Sequence, residues 1–420
     1  MKKRQGNLIS GLDIGSKNVR MTVGQMVERP SGSGMDLQIL GAVDYASEGV
    51  QKGKVNSIED VVSSISACLE RAERMVGVPI DNVWVGVSGM HTVLQNSKGV
   101  IAVSKANNEI TEEDVNRALE AARSIATPLN HEVLHVLPRN YAVDGQFSIK
   151  DPVGMTGIRL EVDSNIVLGS SSQIKNLTKS IYRAGLEIDD LVLSVLACSE
   201  AVLTKKQKEL GVAVINLGAS TTSLIVFEEG EMLHATTIAL GSENITNDLA
   251  IGLRTSVDVA EMVKTDFGDC RPEKVTQKDQ VDLYEAGAGE HEIVKQKYIN
   301  EIIQARVEEI LQKVDTELRK TQRSGLLPAG VVFTGAGSKL PGLVDCAKRV
   351  LRLPAVLGHS LDITSVSDKV NDMGFSTAVG LVKWGALMQG GGYSSNPRWV
   401  FKGFNRAGGQ LKKWFKTLVP

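Results

Sequence analysis

Acidic residues are missing from the end of this chain. After Asp372 none occurs, while Lys383, Arg398, Lys402, Arg406, Lys412, Lys413 and Lys416 are all basic. The whole chain has Lys plus Arg 47 against Asp plus Glu 49, a net −2, so a +7 tail leaves −9 on the remainder. This balance argues against a nucleic-acid partner, which calls for a basic face, and implies two surfaces with different partners. Cysteine is scarce: Cys68, Cys198, Cys270 and Cys346 match neither a disulfide framework nor a zinc spacing, so a reducing compartment is expected. No apolar stretch approaches the roughly 18 residues that span a bilayer. At the basic start, Asp13 interrupts the apolar run before it reaches signal-peptide length. A Gly-x4-Gly-Lys-Ser/Thr loop is also lacking, which disfavours the P-loop nucleotide fold.

What is present is enough for two lobes or more: 420 residues, 42% of them apolar. Residues 8–14 and 19–27 alternate apolar and polar around Gly15-Ser16-Lys17-Asn18, which predicts a hairpin. A helix is expected over 58–76 and a strand over 83–87. The segment 84–162 follows its own logic: short strands near Val93 and over 100–103, a helix from Thr111 to Ala126 with Thr111 and Asp114 at capping-box spacing, then strands over 132–136, 141–143 and 158–162. It has the size of a small inserted α+β subdomain. A helix over 174–185, a strand over 190–195 and a helix over 197–209 lead to a second hairpin, 211–228, again a strand, a glycine-containing turn and a strand. Its return after roughly half the chain points to a duplicated two-lobe architecture. Helices are expected over 242–253, 256–265 and 292–323, then a strand meeting Gly335-Ala336-Gly337 and another helix, and a last helix over 374–389. Residues 390–409 open on Gly390-Gly-Gly and read as a flexible linker.

Three turns carry candidate anion chemistry. In the first, Gly15 lets a phosphate approach the backbone, Ser16 and Lys17 offer donors, and Asp13 can hold a magnesium ion through water. Taken in isolation, one Asp-x-Gly reads more readily as an Asx-type hairpin turn without a ligand. In the second, Asn216, Gly218, Ser220, Thr221 and Thr222 offer similar donors from the opposite lobe. The third, Gly335, Ala336, Gly337 and Ser338 between strand and helix, sets bare backbone against a sugar or phosphate, or is close packing alone.

In this order the elements resemble the five motifs of the actin, heat-shock chaperone and sugar-kinase superfamily. Leu191–Val202 and Gly374–Leu381 stand as its connecting motifs, and Glu261 and Lys264 of Ala260-Glu-Met-Val-Lys264 resemble its adenosine contact. An ordinary amphipathic helix face is the alternative for that last motif. Within the superfamily the strings Val87-Ser-Gly-Met-His91, Glu109–Ala118, His131–Pro138, Tyr141–Gly145 and Lys150–Gly157 look like the inserted subdomain of the FtsA family of actin-like bacterial cell-division proteins, and the resemblance covers nearly the whole chain.

The fold class this implies is α/β, a duplicated two-lobe actin-like fold with an inserted small α+β subdomain and a C-terminal amphipathic helix. Its divisions are 1–83 with 163–205, the insert 84–162, 206–389 with a smaller subdomain at about 240–325, the linker, and 410–420. The implied function is an ATP- and Mg2+-binding, self-associating adaptor on the cytoplasmic face of the cell membrane at the division septum. It would tether FtsZ through the FtsZ C-terminal peptide and recruit later division proteins.

Departures from the family pattern bear on turnover. Lys17 stands one place early, Asn216 replaces a common Asp, Val195 replaces a Pro, and only Glu200, off register, offers a carboxylate for orienting water. ATP is therefore expected as a conformational ligand with weak or no hydrolysis. In the tail, Leu411, Trp414, Phe415 and Leu418 share one helical face, and Lys412, Lys413 and Lys416 take the other. This spacing fits an interfacial helix that folds on an anionic membrane. A helix packed on the body of the protein, a small-molecule kinase or phosphatase, and a pilus or secretion adaptor are the competing readings.

Overall fold

The computed structural model describes residues 8–28, 35–104, 107–276 and 278–389. The tail residues Leu411, Lys412, Lys413, Trp414, Phe415, Lys416 and Leu418 lie outside them, as does the linker.

The alternating runs form two sheets with one plan. In the first, Leu8–Ile14 pairs antiparallel with Asn18–Glu28, which pairs antiparallel with Met35–Ala46. Asn82–Val87 then lies parallel beside Leu8–Ile14, and Glu187–Leu193 parallel beside that. In the second sheet Val212–Leu217, Thr222–Glu228 and Glu231–Ile238 repeat the antiparallel meander. Val331–Thr334 and Ala355–Leu357 repeat the parallel additions. The third strand of each meander was not anticipated from the sequence. Both are long, half-buried strands whose faces carry mixed polarity.

Helices cover the sheets where their apolar stripes dictate. Ile58–Val76 buries Val61, Ile65, Cys68 and Ala72, spaced at one helical face; Ser57 caps its start by accepting from the Asp60 N–H, and Gly77 ends it with φ 75°. Fully burying each Val or Ile there is worth roughly 1.5–3 kcal/mol. The expected helix over 197–209 is two helices, Ser194–Val202 and Lys205–Leu210, because Thr204 and Gln207 make a capping box that starts the second. The long helix is Gln296–Lys320, shorter than expected since Ile293–Lys295 is a strand.

Two helices pass between the lobes. Ser194–Val202 leaves the last strand of the first sheet and packs on Val212–Leu217 and Thr222–Glu228 of the second. Ser376–Met388 follows the second sheet and packs on Leu8–Ile14 and Asn18–Glu28 of the first. They cross at Gly380, where a Cβ would stand 1.9 Å from the Ala197 carbonyl oxygen, so only glycine admits this approach.

The insert is a four-stranded antiparallel sheet against one helix, Glu112–Ala126. Asp114 accepts from the Thr111 N–H at 3.0 Å and from its hydroxyl at 2.7 Å. Two pairs of expected short strands prove continuous, as Thr92–Ala102 and His131–Val143. Pro138 fits the second because a bulge there leaves Arg139 without a partner in the register with Arg159–Ser170. The insert touches both lobes: the Leu193 N–H donates to His135 Nε2 at 2.9 Å, and Lys150 Nζ donates to the Glu229 carbonyl at 2.8 Å. Asn165 Nδ2 reaches the Met232 carbonyl at 2.5 Å. All four cysteines are buried and free.

Candidate functional site

The two hairpin turns face each other across a cleft of about 490 Å3. They are built alike: the Gly15 N–H donates to the Asn18 carbonyl at 3.0 Å, and the Gly218 N–H to the Thr221 carbonyl at 2.9 Å. Each turn crowds its glycine, since a Cβ on either would lie 2.9 Å from that carbonyl oxygen. The Ser16 and Ser220 hydroxyls meet at 2.6 Å across the cleft, and the Lys52 N–H donates to Ser220 Oγ at 3.2 Å. Helix Ser242–Leu253 begins against the second turn, its first N–H groups donating to the Gly218 and Ala219 carbonyls at 2.9 and 2.8 Å.

Asp13 sits at the end of the first strand with its carboxyl pushed up to about 6 by burial, an effect that the nearby Arg20 guanidinium partly offsets. Asn216, its counterpart, donates to Thr377 Oγ1 at 3.2 Å, and its Oδ1 lies 2.3 Å from where a Gly335 Cβ would be. Gly335 adopts φ 86°, so a side chain there is excluded twice. The segment after it is a short 310 turn, Ala336–Lys339, and the α-helix begins only at Leu343. The cleft therefore meets bare backbone at Gly335, Ala336 and Gly337 rather than an α-helix N-terminus.

Opposite, Glu261 holds three partners. Lys17 Nζ bonds its Oε1 at 2.6 Å from the other lobe, while Lys264 Nζ and the Thr246 hydroxyl share Oε2 at 2.5 Å. Burial opposes ionisation of Glu261, but these hydrogen bonds outweigh it and hold its carboxyl at about 2. Burial likewise depresses the Lys264 ammonium, against the pull of Glu261. Lys17 is thus engaged by a carboxylate across the cleft mouth.

Asp13, Gly15, Ser16, Lys17, Asn216, Gly218, Ser220, Thr221, Glu261, Lys264, Gly335, Ala336 and Gly337 line this one cleft. Thr222 and Ser338 do not: the Thr222 hydroxyl donates to the Leu240 carbonyl at 2.8 Å and that of Ser338 to the Thr334 carbonyl at 2.6 Å, both deep in the fold. Glu200 is also turned away, paired with Lys208 Nζ at 2.6 Å. Sequence reasoning missed Asn18, Ser194, Ser242, Lys339 and Thr377, which line the cleft as well. Ser194 follows the carboxyl end of a parallel strand, the place where open α/β sheets bind ligands, and that rule could have found it.

Two like sheets, crossed by exchanged helices and meeting at a cleft between paired hairpins, define an actin-like protein. Solved structures agree on the fold. The chain superposes on a chain of a PilM-PilN type IV pilus biogenesis complex with TM-score 0.64 at 16% identity, covering 91% of this chain and 99% of that one. It superposes on MreB 5 of Spiroplasma citri bound to AMPPNP with TM-score 0.53 at 11% identity, covering 92% and 98%. The family model described as cell division protein FtsA matches residues 213–380, and that of the SHS2 domain inserted in FtsA matches 89–168. Proteins described as cell division protein FtsA are similar throughout. That of Bacillus subtilis (strain 168) is 38% identical over 378 residues, 90% of this chain and 83% of the relative. That of Borreliella burgdorferi is 34% identical, over 97% and 98%. The chain belongs to the FtsA family of actin-like cell-division proteins.

Proposed function

We propose that this chain binds ATP with Mg2+ in the cleft and, so loaded, self-associates on the cytoplasmic face of the membrane at the division site, tethering FtsZ there. The observation that carries the reading is the pair of equivalent turns facing one cleft, with Glu261 and Lys264 at its mouth and bare backbone at Gly335–Gly337. Phosphates would lie against Gly15, Ser16, Gly218, Ser220 and Thr221, and the nucleoside between Glu261, Lys264 and the Gly335 turn. Asp13 fits magnesium held through water: its carboxyl lines the cleft beside the turn that would hold the phosphates. Among the described residues no cluster of three metal-ligating side chains exists, so the ion would rest mainly on phosphate oxygens and water. Bound there, magnesium supplies neutralisation of phosphate charge.

Glu200 is paired elsewhere and Asn216 is neutral, so neither supplies a carboxylate that would orient water in the cleft, which supports ATP as a conformational ligand. Turnover is expected far below the ~10 per second of a typical enzyme. The region at about 240–325 exposes Ile251, Val257, Met262, Tyr284, Ile293 and Tyr298, which supports it as the seat of the FtsZ C-terminal peptide. The basic, one-faced helix read over 410–420 supplies the membrane contact, and later division proteins would meet the insert. The test is co-sedimentation with anionic liposomes. Recruitment of a labelled FtsZ C-terminal peptide to lipid should require ATP, and Trp414→Glu or Phe415→Glu should abolish it. Peptide binding that is absent under all conditions would leave the pilus-adaptor reading.

A further inference from the structure

A hairpin too short to stand alone sits between the cleft and the root of the insert. Among the described residues Val50–Gln51 and Lys54–Val55 pair only with each other. Lys52 and Gly53 join them with φ 50° and 72°, the two left-handed residues of a type I′ turn. Two strands of this size are marginal in water, so what they touch holds them in place. The base is tied where the Gly49 carbonyl accepts from the Asn56 and Ser57 N–H groups at 2.8 and 3.2 Å. The tip crosses to the other lobe: the Lys52 N–H donates to Ser220 Oγ at 3.2 Å, and that oxygen also meets Ser16 Oγ at 2.6 Å. Behind the tip, Gly53 lies backbone to backbone on the chain that leads into the insert. A Cβ on Gly53 would stand 2.5 Å from the Ser88 carbonyl oxygen and 2.6 Å from the Gly89 Cα, so no slack separates them. The root itself is a tight turn, in which the Gly89 carbonyl accepts from the Thr92 N–H at 3.2 Å and the Thr92 hydroxyl at 2.8 Å. The returning strand closes on it, the Ser170 N–H donating to the His91 carbonyl at 3.1 Å. His91 Nδ1 is enclosed there without a hydrogen-bond partner, a group that a shift of the root could satisfy.

We propose that the Lys52–Gly53 tip is a lever that passes the arrival of a phosphate between the two turns to the root of the insert at Gly89–His91. The proposal rests on the reading that ATP binds in this cleft. Hydroxyls 2.6 Å apart leave no room for a phosphate oxygen between them, so Ser16 and Ser220 part when one enters. The Lys52 N–H then follows Ser220 or turns to the phosphate, and either moves the tip. Gly53 carries that movement to Gly89, because backbone meets backbone with no side chain to absorb it. The state of the cleft thus reaches the insert without any contact between nucleotide and insert.

The experiment is hydrogen exchange read by mass spectrometry on the full chain, empty and with saturating ATP and Mg2+, with binding followed by calorimetry. In the native chain ATP should change exchange in the strands at the root, Thr92–Ala102 and Arg159–Ser170, by about threefold or more. Ser220→Ala takes the acceptor from the Lys52 N–H, and Gly53→Ala sets a methyl between tip and root. In both, ATP at saturation should leave these strands within about 1.5-fold of their empty state. Lys52→Ala keeps the N–H and should respond as the native chain does. A native chain that binds ATP without a change in these strands overturns the proposal. So does a full response in Ser220→Ala, or a lost response in Lys52→Ala, which would place the contact in the side chain. No ATP binding by the native chain would overturn the cleft reading as well, and is thereby distinguished from failure of the proposal alone.

Discussion

The two hairpins at the cleft share a shape and differ in chemistry. Two residues before its glycine the first carries Asp13, and the second carries Asn216; two residues after, Lys17 corresponds to Ser220; five after, Arg20 corresponds to Ser223. The hydrogen bond that closes each turn is the same, and the strands flanking each pair in the same register. The repeated fold thus supplies a backbone cradle twice, whereas charge comes from the first copy, and the second adds hydroxyls and an amide. The insert has an asymmetry of its own: its joint to the first lobe uses an imidazole, its joint to the second an amide and an ammonium.

Substitutions that force the halves apart or make them alike test this comparison. The largest effect is expected at the shared crossing. Gly380→Ala should cost about 3 kcal/mol or more in urea unfolding, because its methyl meets the Ala197 carbonyl at 1.9 Å. A loss under about 1 kcal/mol would mean that the helices separate freely.

Next comes the titratable joint. Burial holds His135 at about 4 rather than the ordinary 6.5, so the unfolded chain takes up a proton that the folded one refuses between these values. Its contribution is present above about 6.5 and lost as pH falls toward 4, up to roughly 2–3 kcal/mol. His135→Gln should flatten the pH dependence of unfolding in that window, while Asn165→Ala should leave its slope unchanged.

A smaller effect concerns the turns. Asp13→Asn, which makes the copies alike, should weaken binding of ATP in Mg2+ by tenfold or more, about 1.4 kcal/mol, whereas Asn216→Ala should cost less than about fivefold. Equal losses would break the division of labour. Smallest of all is the bridge across the mouth. Lys17 is half exposed, so Lys17→Ala should change ATP affinity by under about 1 kcal/mol, and the difference should fade at high salt. Lys264 and Thr246 continue to hold Glu261 in that variant.

Much of this was legible because it is local. The alternation around Gly15, the cap–stripe–glycine grammar of residues 57–77, and the return of the hairpin at 211–228 need only neighbours in sequence to be read. What escaped depends on distant partners. The strand Met35–Ala46 declares itself only through its pairing with Asn18–Glu28, and Ser194 becomes a site residue only because Asp13 and Gly86 arrive beside it. Thr222 and Ser338 erred the other way: hydroxyls inside turn motifs were read as donors, yet strand alternation sends one inward and the 310 turn buries the other. Lys17 was legible in position and not in use, since Glu261 is 244 residues away.

The exchange of helices between lobes also sets a timetable. The first sheet is complete once Glu187–Leu193 has been made, but the helix that seals it, Ser376–Met388, is the last described element to be synthesised. For nearly half of translation the apolar face that receives Leu381 and Val382 stays uncovered, so the older lobe closes only after the younger has been made. A ribosome that stalls late leaves a chain with nearly all its residues, its second core assembled and its first still open.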